Sequence, residues 1–474
     1  RLTLRRVSSA SQEPMTRLCA GALILLSMPL VSSWTSPLPL ASRQRSNLAF
    51  APTTPSLLAH RRSSASTCLP TRPAAALRSG RSAAARLRMN EADVMTRVDR
   101  TAAREASQYK GFHHVHMWVG NAMQTATFFI ARMGFEPVAY KGLETGSRDV
   151  VTHVVRQGDI TFAFSTPLEP NNAVMGEHQA KHGDAVKDVA LFVKDCEAVF
   201  AEAVSRGAKI VRAPETFSDE HGSAVMATIE TYGDTVHTFV ELKDYAGPFL
   251  PGFVAVTDED PLASISPAPK LEFIDHVVGN QPVESMEEVC DWYTKTLGFE
   301  RFWSVDDKQV VTKYSSLRSV VMTDPGALVK MPINEPAEGM RKSQIQEYID
   351  YNGGPGVQHI ALRTFDILHT VAMLKQRGMK FLKVPDSYYE DLRKRLSESS
   401  VEIKEDLDRI QELNLLVDFD EQGYLLQIFM KPIQDRPTLF LEVIQRRNHE
   451  GFGVGNFKAL FEAIEREQQR RGNL

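Results

Sequence analysis

Two stretches of the chain, Phe112-His-His114-Val-His116-Met-Trp118-Val-Gly-Asn121 and Phe273-Ile-Asp-His276-Val-Val-Gly-Asn280, decide the fold, because one answers the other. Each is followed by apolar residues at helical spacing and then by a glycine turn, Met133-Gly134-Phe135-Glu136 in the first case and Leu297-Gly298-Phe299-Glu300 in the second. That order reads as strand, helix, turn, strand. Further along, Val186-Lys-Asp188-Val-Ala-Leu191 and a helix ending at Arg206-Gly207 correspond to Val357-Gln358-His359-Ile-Ala-Leu362 and a helix ending at Arg377-Gly378. The halves close on Thr238-Phe-Val-Glu241 and Leu439-Phe440-Leu-Glu442. A unit repeated at this scale cannot bury its apolar face alone. The expectation is an α+β protein of two halves, 108–262 and 270–474, each with two βα-type units, joined near Pro261–Pro269. Two curled, mostly antiparallel sheets packed by helices follow.

Ahead of this body lies a segment of different composition. Residues 1–89 contain thirteen Arg, no Lys and one acid, Glu13. The remaining 385 residues hold 42 basic and 58 acidic side chains, a net charge of −16. That excess of acid argues against a general nucleic-acid binder, which needs surplus cations to displace phosphate counterions. Within the leader, Met15-Thr-Arg17, an apolar run from Leu18 to Val31 and Ser32-Ser33 have the layout of a signal peptide, and the run falls short of a membrane span. An acid-free stretch rich in Ser, Arg, Ala and Pro follows, entered through Ala49-Phe50-Ala51-Pro52. Signal peptide followed by transit peptide resembles the bipartite plastid presequences of algae with secondary plastids. The expected destination is therefore a plastid, with cytoplasm or mitochondrion as the alternative. No later stretch is long enough to span a bilayer. The body's two cysteines, Cys196 and Cys290, are too few for a disulfide framework and read as packing residues.

Two segments depart from the repeat. Residues 386–411 carry dense alternating charge at helical spacing, expected to be a solvated helical excursion. The end, from Asn456-Phe457 through Leu460-Phe461 to Ile464 and a charged tail, is an amphipathic helix whose apolar face must pack on something, and a terminal helix beside a cleft can act as a lid.

Overlaying the strands of the second half aligns His276, His359 and Glu442, separated by 83 and 83 residues. All three fall among strand-forming residues, so their side chains can converge inside one curled sheet. Two imidazoles and one carboxylate on one face, with positions left open, are the ligand set of non-haem Fe(II) oxygenases. The first half offers His114, Asp188 and Glu241 at the same places and reads as a copy without metal binding. His113, His114 and His116 form a tempting cluster, but strand alternation puts His113 on the opposite face from the other two, which favours a structural use.

At this point the chain resembles a known family. Ile274-Asp-His276-Val-Val-Gly-Asn-Gln281, the run Gln344-Ile-Gln-Glu-Tyr-Ile-Asp-Tyr-Asn-Gly353 through Gln358-His359-Ile-Ala-Leu362, and Gln427-Ile-Phe429 through Phe440-Leu-Glu442-Val-Ile-Gln-Arg446 are similar to the 4-hydroxyphenylpyruvate dioxygenases, as is Asn448-His-Glu-Gly451-Phe452-Gly-Val-Gly-Asn456-Phe457. The resemblance runs from about residue 110 to the end. It implies the vicinal-oxygen-chelate fold, in which tandem βαβββ modules form the sheets and the C-terminal helix lies over the active-site cleft. It implies Fe(II) on His276, His359 and Glu442, with 4-hydroxyphenylpyruvate and O2 converted to homogentisate and CO2. Phe429, Phe440, Phe452 and Phe457 would line the substrate's ring, and Gln344, Gln358, Gln427, Ser319 and Asn334 would meet its phenol. Neutral amides suit that task because each offers donor and acceptor without a charge. The family also implies a homodimer, and a product that feeds tyrosine and phenylalanine catabolism or plastoquinone and tocopherol synthesis.

Two other readings compete. Hydroxymandelate synthase, on the same scaffold, oxidises the benzylic carbon instead of the ring; Asn334 and Pro336 match the ring-hydroxylating pattern. A binding protein or a Zn or Ni lyase on this fold would show no O2 uptake with the oxo acid.

Overall fold

The computed structural model describes residues 101–257, 261, 266–305, 316–337, 339 and 342–473. The leader, 1–89, lies outside the described residues, as do residues 262–265 of the Pro-rich linker.

After a short helix, α1 (Thr101–Ala106), the first half lays down two βαβββ modules. They are β1 (Tyr109–Trp118), α2 (Ala122–Met133), β2 (Glu136–Lys141), β3 (Val150–Gln157) and β4 (Ile160–Pro167), then, past α3 (Ala173–His182), β5 (Ala185–Val193), α4 (Cys196–Ser205), β6 (Ile210–Asp219), β7 (Gly222–Glu230) and β8 (Val236–Lys243), with a two-residue β9 (Val254–Ala255) added at the edge. The second half repeats the plan with β10 (Phe273–Asn280), α5 (Met286–Trp292), β11 (Glu300–Val305), β12 (Ser316–Thr323) and β13 (Lys330–Ala337), then α6 (Gln344–Asn352), β14 (Gly356–Arg363), α7 (Ile367–Gln376), α8 (Asp386–Ser397), α9 (Leu407–Leu413), β15 (Leu416–Phe419), β16 (Tyr424–Phe429) and β17 (Phe440–Arg447). Helix α10 (Val454–Arg471) ends the chain.

Strand order is β6-β7-β8-β5-β1-β4-β3-β2-β9 in one sheet and β11-β12-β13-β10-β14-β17-β16-β15 in the other. Within each, the first strand of a module pairs parallel with its last, and every other pairing is antiparallel. The sheets are thus mixed but mostly antiparallel, as expected. Gly134 and Gly298, in the turns that flagged the repeat, both sit in the left-handed region at φ 70° and 68°, which glycine adopts without a Cβ penalty. One face of the first sheet carries Ala139, Val154, Ala163, Ala190, Ala224 and Val240 in a cluster with Phe249 and Leu250. The helices cover the other face, and one apolar cluster runs from Phe129 and Phe162 in the first half to Val277, Ile360 and Leu441 in the second.

The central strand pair of each half, β1–β5 and β10–β14, carries two β-bulges at matching places. Phe112 pairs with Leu191 and His114 with Ala190, leaving His113 unpaired; Ile274 pairs with Leu362 and His276 with Ala361, leaving Asp275 unpaired. On the facing strands, Lys187 and Gln358 are left over in the same way. A bulge sets two residues against one and re-aims a side chain. It overturns the alternation argument for His113: its ring and that of His114 both lean on Phe249, and their Nδ1 atoms lie 2.8 Å apart. The cluster nevertheless serves structure, since His116 Nε2 pairs with Ser165 Oγ at 2.6 Å.

The charged excursion is also corrected. Helices α8 and α9 form, but Tyr388, Tyr389 and Leu392 are buried along one face of α8, and the Tyr388 hydroxyl donates to Asn456 Oδ1 at 2.8 Å. Charge density had masked a narrow apolar stripe. Helix α10 buries Ala459, Leu460, Phe461 and Ala463, so it is part of the core as well as a cover. Cys196 and Cys290 are buried, and burial pushes both thiols up to about 12, which suits packing residues. Among the described residues no helix is long and apolar enough to cross a membrane.

Candidate metal centre and substrate cavity

Strands β10, β14 and β17 lie side by side, with His276 opposite Ala361 and Ala361 opposite Glu442. His359 stands two residues before Ala361 on the same strand, hence on the same face. Ala361, with only a methyl group, leaves the space between them open. Glu442 Oε2 is 3.4 Å from His276 Nε2 and 3.3 Å from His359 Nε2, and the three donor atoms lie within 4.8 Å of one another. Glu442 is 2 % exposed, yet among the described residues its Oε1 has no hydrogen-bond partner. An unpartnered carboxylate oxygen in a dry site costs on the order of 1–3 kcal/mol or more, so this is where a cation fits. Among the described residues this is the one such group of His, Cys, Asp and Glu.

The surroundings set the charge states. Burial works to raise the Glu442 carboxyl, but hydrogen bonds from both imidazoles outweigh it and hold the carboxyl below its usual range. For His276 burial is opposed by Asp275 and Glu442, and the ring is raised; for His359 burial prevails and the ring is lowered. Asp275 accepts from His276 Nδ1 at 2.8 Å and is clamped by Arg446 at 2.9 and 3.0 Å and by Arg363 at 3.2 Å. Gln358 Oε1 lies 2.9 Å from His359 Nδ1.

A cavity opens beside the ligands, about 540 Å³ with its mouth included. Its walls include Ser319, Asn334, Gln344, Gln358, Phe429, Phe440 and Phe452, all named from sequence. Phe440 stacks on His359 at 4.8 Å and 15°, Phe429 meets the same ring edge-on at 6.0 Å, and Phe452 meets His276 at 5.2 Å. Ser319 and Asn334 are register partners on β12 and β13. Gln427 is not in this lining; it is buried, its Nε2 without a partner among the described residues, and packed so closely under Gly453 that a Cβ there would collide with its carboxamide. Phe457 lies on α10, and its side chain is outside the described residues. Sequence reading did not name Val278, Leu317, Pro332, Leu460 and Phe461 as cavity walls. Val278 follows His276 at strand spacing and was findable by alternation; Leu460 and Phe461 required knowing where α10 docks.

The first-half positions do not converge. Asp188 Oδ1 accepts from the Thr238 backbone N–H at 3.0 Å, and Glu241 Oε2 accepts from that of Cys196 at 3.0 Å, so both carboxylates are committed to the backbone.

A profile of the hydroxyphenylpyruvate dioxygenase N-terminal family matches residues 106–246, and one of the glyoxalase/bleomycin resistance protein/dioxygenase superfamily matches 273–428. The chain is 58% identical over 378 residues to a 4-hydroxyphenylpyruvate dioxygenase of Danio rerio, covering 80% of this chain and 95% of that protein. It is 56% identical over 373 residues to one of Tetrahymena thermophila, covering 77% and 92%. Among solved structures, a variant of 4-hydroxymandelate synthase from Streptomyces coelicolor matches with a TM-score of 0.66 and 28% identity, covering 76% of this chain and 99% of that one. Two repeated halves, one retaining the ligand set inside an aromatic cavity, and relatives of this identity over nearly their whole length place the chain in the 4-hydroxyphenylpyruvate dioxygenase family.

Proposed function

We propose that the chain is an Fe(II)-dependent dioxygenase that takes 4-hydroxyphenylpyruvate and O2 to homogentisate and CO2. The observation that carries this reading is the His276–His359–Glu442 cluster, with its orphaned carboxylate oxygen, at the wall of a cavity lined by phenylalanines and carboxamides. A ferrous ion on this set supplies Lewis acidity and one-electron chemistry toward dioxygen. A 2-oxo acid is a suitable substrate for such a centre, because a cation offsets the cost of placing a carboxylate in a dry cavity. The protein's own groups do the rest. Phe429 and Phe440 offer an apolar slot for a planar ring, while Ser319, Asn334, Gln344 and Gln358 offer uncharged donors and acceptors for a phenol. Leu460 and Phe461 of α10 cover the cavity and exclude water from the reacting groups. The test is purified protein with Fe(II), oxygen and 4-hydroxyphenylpyruvate: O2 uptake, CO2 release and homogentisate in equal amounts are expected. Mandelate without homogentisate would assign the sister activity, and no uptake would remove the dioxygenase.

The composition of residues 1–89 supports delivery to a plastid, where homogentisate serves prenylquinone and tocopherol synthesis. Fusion of residues 15–89 to a fluorescent reporter tests the address; a cytosolic reporter sinks it. A homodimer is supported by the family resemblance, and sedimentation of the body decides it.

A further inference from the structure

We infer that the unpaired residue of each bulge, Asp275 on β10 and Gln358 on β14, is the positioning residue for the metal-binding histidine that follows it, and that the two histidines are thereby made unequal. The inference rests on the metal reading of the site. In a regular strand, neighbouring side chains point to opposite faces and cannot bond to each other. The bulges remove that restriction at both places, so a side chain one residue earlier reaches the imidazole Nδ1 at 2.8 Å for His276 and 2.9 Å for His359. When Nε2 binds a cation, Nδ1 carries the ring proton and must donate, so its partner must be an acceptor. That requirement orients Gln358: its carbonyl oxygen faces the imidazole and its NH2 group is left toward the cavity it lines.

The two supports differ in kind. Asp275 is a buried carboxylate fixed by two arginines as well as by His276, which makes His276 a rigid arm with a charged support. Gln358 is neutral and makes this single hydrogen bond among the described residues, which makes His359 the arm that a molecule in the cavity can adjust through the amide. The first half repeats both bulges but keeps an acceptor-bearing side chain behind only one of the two positions, where His113 Nδ1 lies 2.8 Å from that of His114. His113 stands where Asp275 does, and Lys187, which has no acceptor atom, stands where Gln358 does. A histidine after Lys187 would have nothing to hold its Nδ1 proton. Restoring histidine at Asp188 alone would therefore not rebuild a metal site there.

The experiment is calorimetric titration of the metal-free, substrate-free full chain with Fe(II) under anaerobic conditions, alongside thermal melts of the same samples. Gln358→Leu is expected to weaken Fe(II) binding about 10- to 100-fold, the range seen on losing such a partner, with the metal-free melt unchanged. Gln358→Glu, which restores an acceptor, is expected to recover affinity to within about threefold. Asp275→Leu, which removes the acceptor, is expected to weaken binding by a similar factor; if losing the arginines' partner unfolds it, the Gln358 pair decides alone. Wild-type Fe(II) affinity in Gln358→Leu, with a defect confined to substrate KM, would overturn the inference and leave Gln358 a substrate contact. Failure of the unaltered chain to bind Fe(II) would instead overturn the metal reading itself.

Discussion

Arg471, at the last turn of α10, donates to both carboxylate oxygens of Glu347 on α6, at 2.8 and 3.0 Å across 124 residues of sequence. Glu347 is 2 % exposed and also accepts from Asn473 Nδ2 at 2.8 Å. Helix α6 begins at Gln344 and α10 contributes Leu460 and Phe461, so this pair ties together two elements that wall the cavity.

Breaking that tie should loosen the cover. Arg471→Ala removes both donor nitrogens, Nε and Nη2, from a buried carboxylate and is expected to cost about 1–3 kcal/mol of stability. It should also raise KM for the oxo acid more than it lowers kcat. Steady-state kinetics with a thermal melt checks both; unchanged values would mean that apolar packing alone seats α10.

Glu442→Gln preserves volume and removes the ligand's charge. The fold should persist, since among the described residues no backbone group depends on that carboxylate, while metal content and turnover should fall at least 100-fold, more than the loss of a supporting residue costs. Metal analysis of the purified variant beside its circular dichroism spectrum decides. Full iron loading with normal turnover would remove Glu442 from the site.

Phe461→Ala tests whether α10 is a lid or a beam. Phe461 is 2 % exposed and lines the cavity, so truncation should cost about 3 kcal/mol in a chemical melt and also impair turnover. A variant of wild-type stability with impaired turnover would make the helix a cover only.

The first half gives a pH-dependent signature. Burial raises the Asp188 carboxyl to about 6, above its ordinary 3.8. A carboxyl raised on folding favours the folded state while protonated, and that advantage is lost as pH rises from about 4 through 6. Asp188→Asn keeps an acceptor for the Thr238 N–H and carries no charge. It should therefore gain stability over the parent by about 1–3 kcal/mol on moving from pH 5 to pH 8. Melting curves at both values check this; a difference independent of pH would mean that Asp188 is not buried as a charge.

How far the chain could be read without coordinates depends on what kind of fact is asked of it. The doubling was legible because both copies keep the same order of strand, helix, glycine turn and strand, and glycines at Gly134 and Gly298 mark positions where the backbone needs positive φ. The ligand trio was legible because corresponding strand positions in a repeat must share a face once the sheet curls. Alternation failed at His113, since a bulge is set by the pairing of two strands and not by either strand's own pattern. Spacing failed for α8, whose stripe of Tyr388, Tyr389 and Leu392 is too narrow to show through the charges around it.

What the amino-acid order determined by itself, then, was the repeat, the α+β class and three candidate ligands, all matters of local period. What only the tertiary structure decided was that Asp275 and Gln358 stand behind the two imidazoles, that Gln427 packs under Gly453 instead of lining the cavity, and that Arg471 reaches Glu347. Those relationships depend on register and on where distant elements dock, and contacts of that kind leave no period in the sequence.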